Sequence, residues 1–134
     1  MIGVVIVAHG RLAQALVGAA EFIVGQRLEG VIPLEVSPDQ EPEELQAALK
    51  KALAEVDKGQ GVLLLTDMFG GSPSDMSISF LDPGRVEVLT GVNLPLLLHV
   101  VTKRNQKPDL TELAEEAEKK ALDSITMAGK VLKP

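Results

Sequence analysis

The chain has 134 residues, 46% of them hydrophobic, and a formal net charge of −6, which suits one globular domain with a buried core and excludes a disordered segment. Three Phe with no Tyr or Trp exclude stacking of bases or sugar rings on aromatic faces, and the acidic balance argues against a nucleic-acid partner. The absence of cysteine excludes disulfides, thiolate metal sites and redox motifs.

The opening, "MIGVVIVAHGR", has neither the basic leader nor the small-residue cleavage site of a signal peptide. No apolar run approaches the ~18 residues of a membrane span, so a cytoplasmic protein is expected. Ile2–Ala8 is continuous, apolar and β-branched, the pattern of a strand covered on both faces. Leu12–Val24 carries apolar residues at helical spacing and stops at Gly25. Val31–Val36 reads as a second strand. After the Ser37-Pro38-Asp39 turn, Pro42–Val56 is an amphipathic helix with Leu45, Ala48, Leu49, Ala52 and Leu53 on one stripe. Gly61–Thr66 is a third strand, Pro73–Leu81 a helix, Arg85–Thr90 a fourth strand and Pro95–Lys103 a helix. Asp109 caps a helix over Leu110–Leu122, with Glu112 completing a capping box. The tail, Ser124–Leu132, is short and mixed and is assigned as a final strand.

Alternating strands and helices with short loops predict a single doubly wound α/β domain over residues 1–134. Its sheet is mainly parallel, with right-handed crossovers placing helices on both faces. In the commonest small version the strand order is 2-1-3-4, and ligands bind outside the carboxyl ends of strands one and three, where the order reverses. Strand one ends in His9-Gly10 and strand three in Thr66-Asp67, followed by "MFGGSPSD". A histidine and a carboxylate therefore converge on that crevice.

A neutral imidazole is a nucleophile when one ring nitrogen is held as a donor and the other is free. Asp67 is placed to hold it, as the aspartate of a catalytic triad does; its alternative is a turn or cap aspartate. For His9 the alternative is a satisfied histidine at a strand end, although Gly10 leaves room for a ligand. Gly70-Gly71-Ser72-Pro73-Ser74-Asp75 reads as a loop-to-helix junction with Ser72 as N-cap, Pro73 first in the helix and Asp75 in the acidic third position. With Gly10, Gly71 and Ser72 it also forms a candidate phosphate cradle, and the combination points to a histidine that is phosphorylated. There is no G-x-G-x-x-G, no Walker lysine, no nucleophile elbow around Ser72 and no metal-ligand spacing, so no cofactor or metal is expected. His99, in "PLLLHVV", is read as structural; Arg11 is either an anion contact or a solvated side chain.

Along nearly its whole length the chain resembles the IIA component of the mannose/fructose/sorbose family of the bacterial phosphoenolpyruvate-dependent sugar phosphotransferase system. The resemblance runs from "VIVAHG" through "GVLLLTDMFGGSPSDMS" to "VLTGVNLPLLL". It implies that His9 accepts a phosphoryl group from the phosphocarrier HPr and hands it to a IIB component, that Asp67 orients the histidine, and that Ser72 lies at the phosphate site. It also implies a homodimer exchanging its C-terminal strand, and indirect coupling to membrane components IIC and IID. The chain stops before any fused IIB domain, so IIB is expected as a separate protein. Phe69 stands where enteric members carry Trp, a difference expected to alter partner packing more than chemistry. A histidine phosphatase is disfavoured because Ala8, not Arg, precedes His9 and the second histidine, His99, sits in an apolar helix. Two relatives of the main reading remain open: a regulatory phosphocarrier uncoupled from transport, and the phosphodonor of a dihydroxyacetone kinase.

Overall fold

The computed structural model describes the chain except Phe69, Gly71, Lys107, Lys133 and Pro134, together with the side chains of Ser72 and Pro73. Strands β1 (Gly3–His9), β2 (Val31–Val36), β3 (Val62–Thr66) and β4 (Val86–Thr90) form one parallel sheet in the order β2-β1-β3-β4. Between and after them come α1 (Leu12–Val24), α2 (Pro42–Val56), α3 (Ser72–Ile78), α4 (Leu94–Lys103), α5 (Leu110–Asp123) and α6 (Ala128–Val131).

The apolar run of β1 is explained by its two covered faces. Val4, Ile6 and Ala8 enter the core formed with α1, α4 and α5, while Val5 and Val7 enter a second core under α2. β3 alternates in the same way, Leu63 and Leu65 against Leu64. Each of the buried Val, Ile and Leu side chains contributes about 1.5–3 kcal/mol, so both central strands are firmly located. Gly3 lets α2 approach, since a Cβ there would collide with the Val56 carbonyl oxygen and side chain. A clip not legible in the sequence ties the amino ends of β1 and β2 together. The buried Arg104 guanidinium donates to the carbonyls of Ile2 at 3.2 Å, Gly30 at 3.4 Å and Glu29 at 2.5 Å.

The helix and strand bounds match the sequence reading to within about a turn. The helix read as Pro73–Leu81 runs from Ser72 to Ile78, and the cap assigned to Ser72 rests on a side chain outside the described ones. Asp109 accepts from the Glu112 N–H at 2.7 Å as the cap of α5. The tail is the clear correction: residues 128–131, assigned to a strand, form the short helix α6. A strand needs a ladder partner for its N–H and C=O groups, whereas a helical turn satisfies them locally; Lys130 and Leu132 donate back to Met127 and Ala128. No helix among the described residues is long and apolar enough to cross a membrane.

Candidate active site

Two parallel neighbours, β1 and β3, deliver His9 and Asp67 to the same end of the sheet. Val7 pairs with Thr66, so His9 lies just past the last rung and Asp67 follows directly on β3. The Asp67 Oδ2 atom accepts two hydrogen bonds from one residue: the His9 backbone N–H at 3.0 Å and His9 Nδ1 at 2.8 Å. Nδ1 is thereby the protonated nitrogen. Nε2 has no partner among the described residues, and the His9 side chain is 51% exposed against 11% for Asp67. The carboxylate is thus held in the protein and the imidazole edge is offered to solvent.

Burial raises the Asp67 pKa, but the hydrogen bonds from the His9 backbone and ring, with the attraction of that ring's charge, outweigh it. The carboxyl titrates below its ordinary value of 3.8. Asp67 Oδ1 is buried without a partner among the described residues.

Gly10 follows at φ 59° with nothing within 4 Å of where a Cβ would stand, so the approach to His9 is open. Gly71 lies outside the described residues. Ser72 contributes its backbone to the start of α3, but its side chain is outside them too, as is Phe69. Arg11 precedes α1, makes no side-chain cap and is exposed. His99 is on another face, its Nε2 3.3 Å from Glu116 Oε2 and its side chain 14% exposed.

Sequence reasoning missed a groove of about 590 Å³ that opens directly beside His9 and Gly10. Its apolar lining is Val36, Pro38, Pro42, Leu45 and Met76, and its polar lining includes Glu35, Gln40 and Glu41. The elements that meet there, β2, the turn after it, α2 and α3, are scattered in sequence. The only available signal was that Glu35 interrupts the apolar strand "VIPLEV".

The sequence model of the family described as "EIIA-man: PTS system fructose IIA component" matches residues 3–118. This chain belongs to that family. It is 34% identical over 113 residues to the PTS system mannose-specific EIIAB component of Escherichia coli K12, covering 84% of this chain and 35% of that protein. It is 33% identical over 105 residues to the PTS system fructose-specific EIIA component of Bacillus subtilis 168, covering 78% of this chain and 71% of that protein. The chain therefore spans only about a third of the mannose-specific relative. Among solved structures, the PTS IIA protein associated with the fucose utilization operon of Streptococcus pneumoniae superposes with a TM-score of 0.84 at 30% identity, covering 98% and 96% of the two chains. The EIIA component of Streptococcus agalactiae shares the fold with a TM-score of 0.87 at 24% identity, covering 97% and 99%.

A carboxyl whose pKa is depressed on folding adds stability above its ordinary pKa and loses it as pH falls through the folded value. Asp67→Asn should therefore be less stable than the native chain above about pH 4, and the difference should shrink as the solution is made more acidic. Denaturant unfolding of both proteins across that range checks this; a gap that is constant or widens in acid would contradict it.

Proposed function

We propose that this EIIA chain is a phosphohistidine carrier that takes a phosphoryl group from HPr onto His9 Nε2 and passes it to a IIB component for sugar uptake and phosphorylation. The observation that carries the reading is that Asp67 Oδ2 occupies Nδ1, which leaves Nε2 as the exposed nucleophile. Nε2 attacks the phosphorus of the donor's phosphohistidine; the donor's P–N bond breaks as the new one forms, and the donor imidazole leaves with that electron pair. The Nδ1 proton stays on His9, where Asp67 stabilises the positive charge that spreads over the ring. Reversal of the same step towards IIB regenerates the neutral imidazole. Gly10, Gly71 and Ser72 are proposed to hold the phosphate oxygens.

The proposal includes a homodimer built by the tail. Leu122, Ile125, Met127, Val131 and Leu132 are exposed, and β4 is an edge strand of the sheet; packing of a partner's tail against that edge would cover both. Deleting residues 124–134 should abolish or weaken the dimer by sedimentation; a truncated chain that stays dimeric would contradict the tail's role.

Incubated with phosphoenolpyruvate, enzyme I and HPr, the chain should gain one acid-labile, alkali-stable phosphoryl group. His9→Ala should remove it and His99→Ala should leave it intact. Asp67→Ala should slow transfer by roughly 10²- to 10⁴-fold, since the nucleophile survives without its orientation. Ser72→Ala should cost about 10-fold, because backbone N–H groups still bind the anion. Stoichiometric labelling of the His9→Ala protein would overturn the reading.

A further inference from the structure

A second cavity, of about 200 Å³, lies where the carboxyl ends of α1 and α4 meet the amino ends of β1 and β2. At about 3.3 Å per residue of β1, that is about 20 Å from His9. The cavity is built around a buried charge. Arg104, only 5% exposed, lines it. Its Nη1 and Nη2 groups donate to the carbonyls of Ile2, Gly30 and Glu29, whereas Nε is buried with no acceptor among the described residues. No carboxylate among the described residues forms an ion pair with it. Burial pushes the guanidinium pKa down, and the charge of Glu29 offsets only part of that. A buried cation held by carbonyl dipoles alone is short of negative charge. The Nε–H and the adjacent Nη2–H form the planar edge that grips a carboxylate through two parallel bonds.

The remaining lining asks for the opposite sign and for hydrocarbon. Glu29 is exposed and enters no ion pair among the described residues. The carbonyl ends of α1 and α4 favour a cation within their last turns. Val24, Leu28 and Val101 supply an apolar wall, and Met1 adds a flexible thioether that adjusts as a ligand seats. At about 30 Å³ per water-sized group, the volume holds about seven of them.

We infer that this cavity binds a small α-amino acid with an apolar side chain, alanine to valine in size, as its zwitterion. The carboxylate takes the Nε–H and Nη2–H edge of Arg104, with Arg27, also in the lining, adding positive charge at longer range. The ammonium faces Glu29 and the carbonyl ends of the two helices, and the side chain packs on Val24, Leu28 and Val101. A simple carboxylate would set its charge against Glu29 and the helix ends, and a simple amine would face two guanidinium groups. Only a ligand carrying both signs matches both halves of the cavity. The site is separate from His9 and does not depend on the reading of that histidine as a carrier.

The test is calorimetric titration of the full chain with L-valine, with isovalerate, which is valine without its amino group, and with isobutylamine, which is valine without its carboxylate. Valine should bind saturably at one site per chain, and each analogue should bind at least about 10-fold more weakly, the loss expected when a charged hydrogen-bonding group is removed. Amide NMR shifts on adding valine should change at Leu28, Glu29 and Asn105 and stay constant at Gly10. Glu29→Gln and Arg27→Gln alter exposed side chains, so both variants should fold, which their amide spectra check. Glu29→Gln should weaken valine about 10-fold while leaving isovalerate no weaker; Arg27→Gln should weaken both. If none of the three probes binds saturably, Arg104 is a backbone clip alone and the inference is overturned. Either analogue binding as tightly as valine, or shifts centred on Gly10, would overturn it equally.

Discussion

One carboxylate oxygen, Asp67 Oδ2, accepts both the backbone N–H and the ring N–H of His9, and the carrier role proposed for the site depends on that pair of hydrogen bonds. A side chain alone could turn away, and a backbone alone could not orient a ring. Two donors on one acceptor fix the position of the histidine and its tautomer at once. The bonds also explain why the carboxyl stays ionised despite being largely buried: burial opposes its charge, and His9 overcomes that opposition.

The rest of the fold serves to bring those two residues together. They lie 58 residues apart in sequence and meet because β1 and β3 are adjacent parallel strands with a fixed register. That register is set by side chains on both faces, since a one-residue slip would exchange the contents of the two cores. Arg104 and the α2 approach at Gly3 hold the opposite end of the same strands. The ends near the site carry instead the open approach at Gly10 and the groove under the β2–α2 turn. The rigid clips therefore lie at one end of the sheet and the accessible chemistry at the other.

Much of this was legible in the sequence for a physical reason. Continuous apolar strands, a Gly-stopped helix and an Asp-capped helix are local patterns, and the 2-1-3-4 order follows from crossover rules; together these place His9 and Asp67 at the reversal point without any long-range information. Arg104 was not legible, because its partners include a carbonyl 102 residues away and arginine in "TKRNQ" looks like any solvated helix end. The groove was hidden likewise, since Glu35, Gln40, Leu45 and Met76 have no common period and only the packed α2 and α3 bring them together. The tail misled because its exposed Ile125, Met127 and Val131 suit a strand, while a lone chain gives them nothing to pair with.

The central claim is that Asp67 reserves Nδ1 and so assigns the phosphoryl group to Nε2. Long-range proton–nitrogen NMR of the phosphorylated chain, labelled with ¹⁵N in histidine, reads which ring nitrogen of His9 bears phosphorus. The account predicts Nε2 phosphohistidine with Nδ1 still protonated; phosphorus on Nδ1 would mean that the Asp67 bond is broken in the working state, and would contradict it.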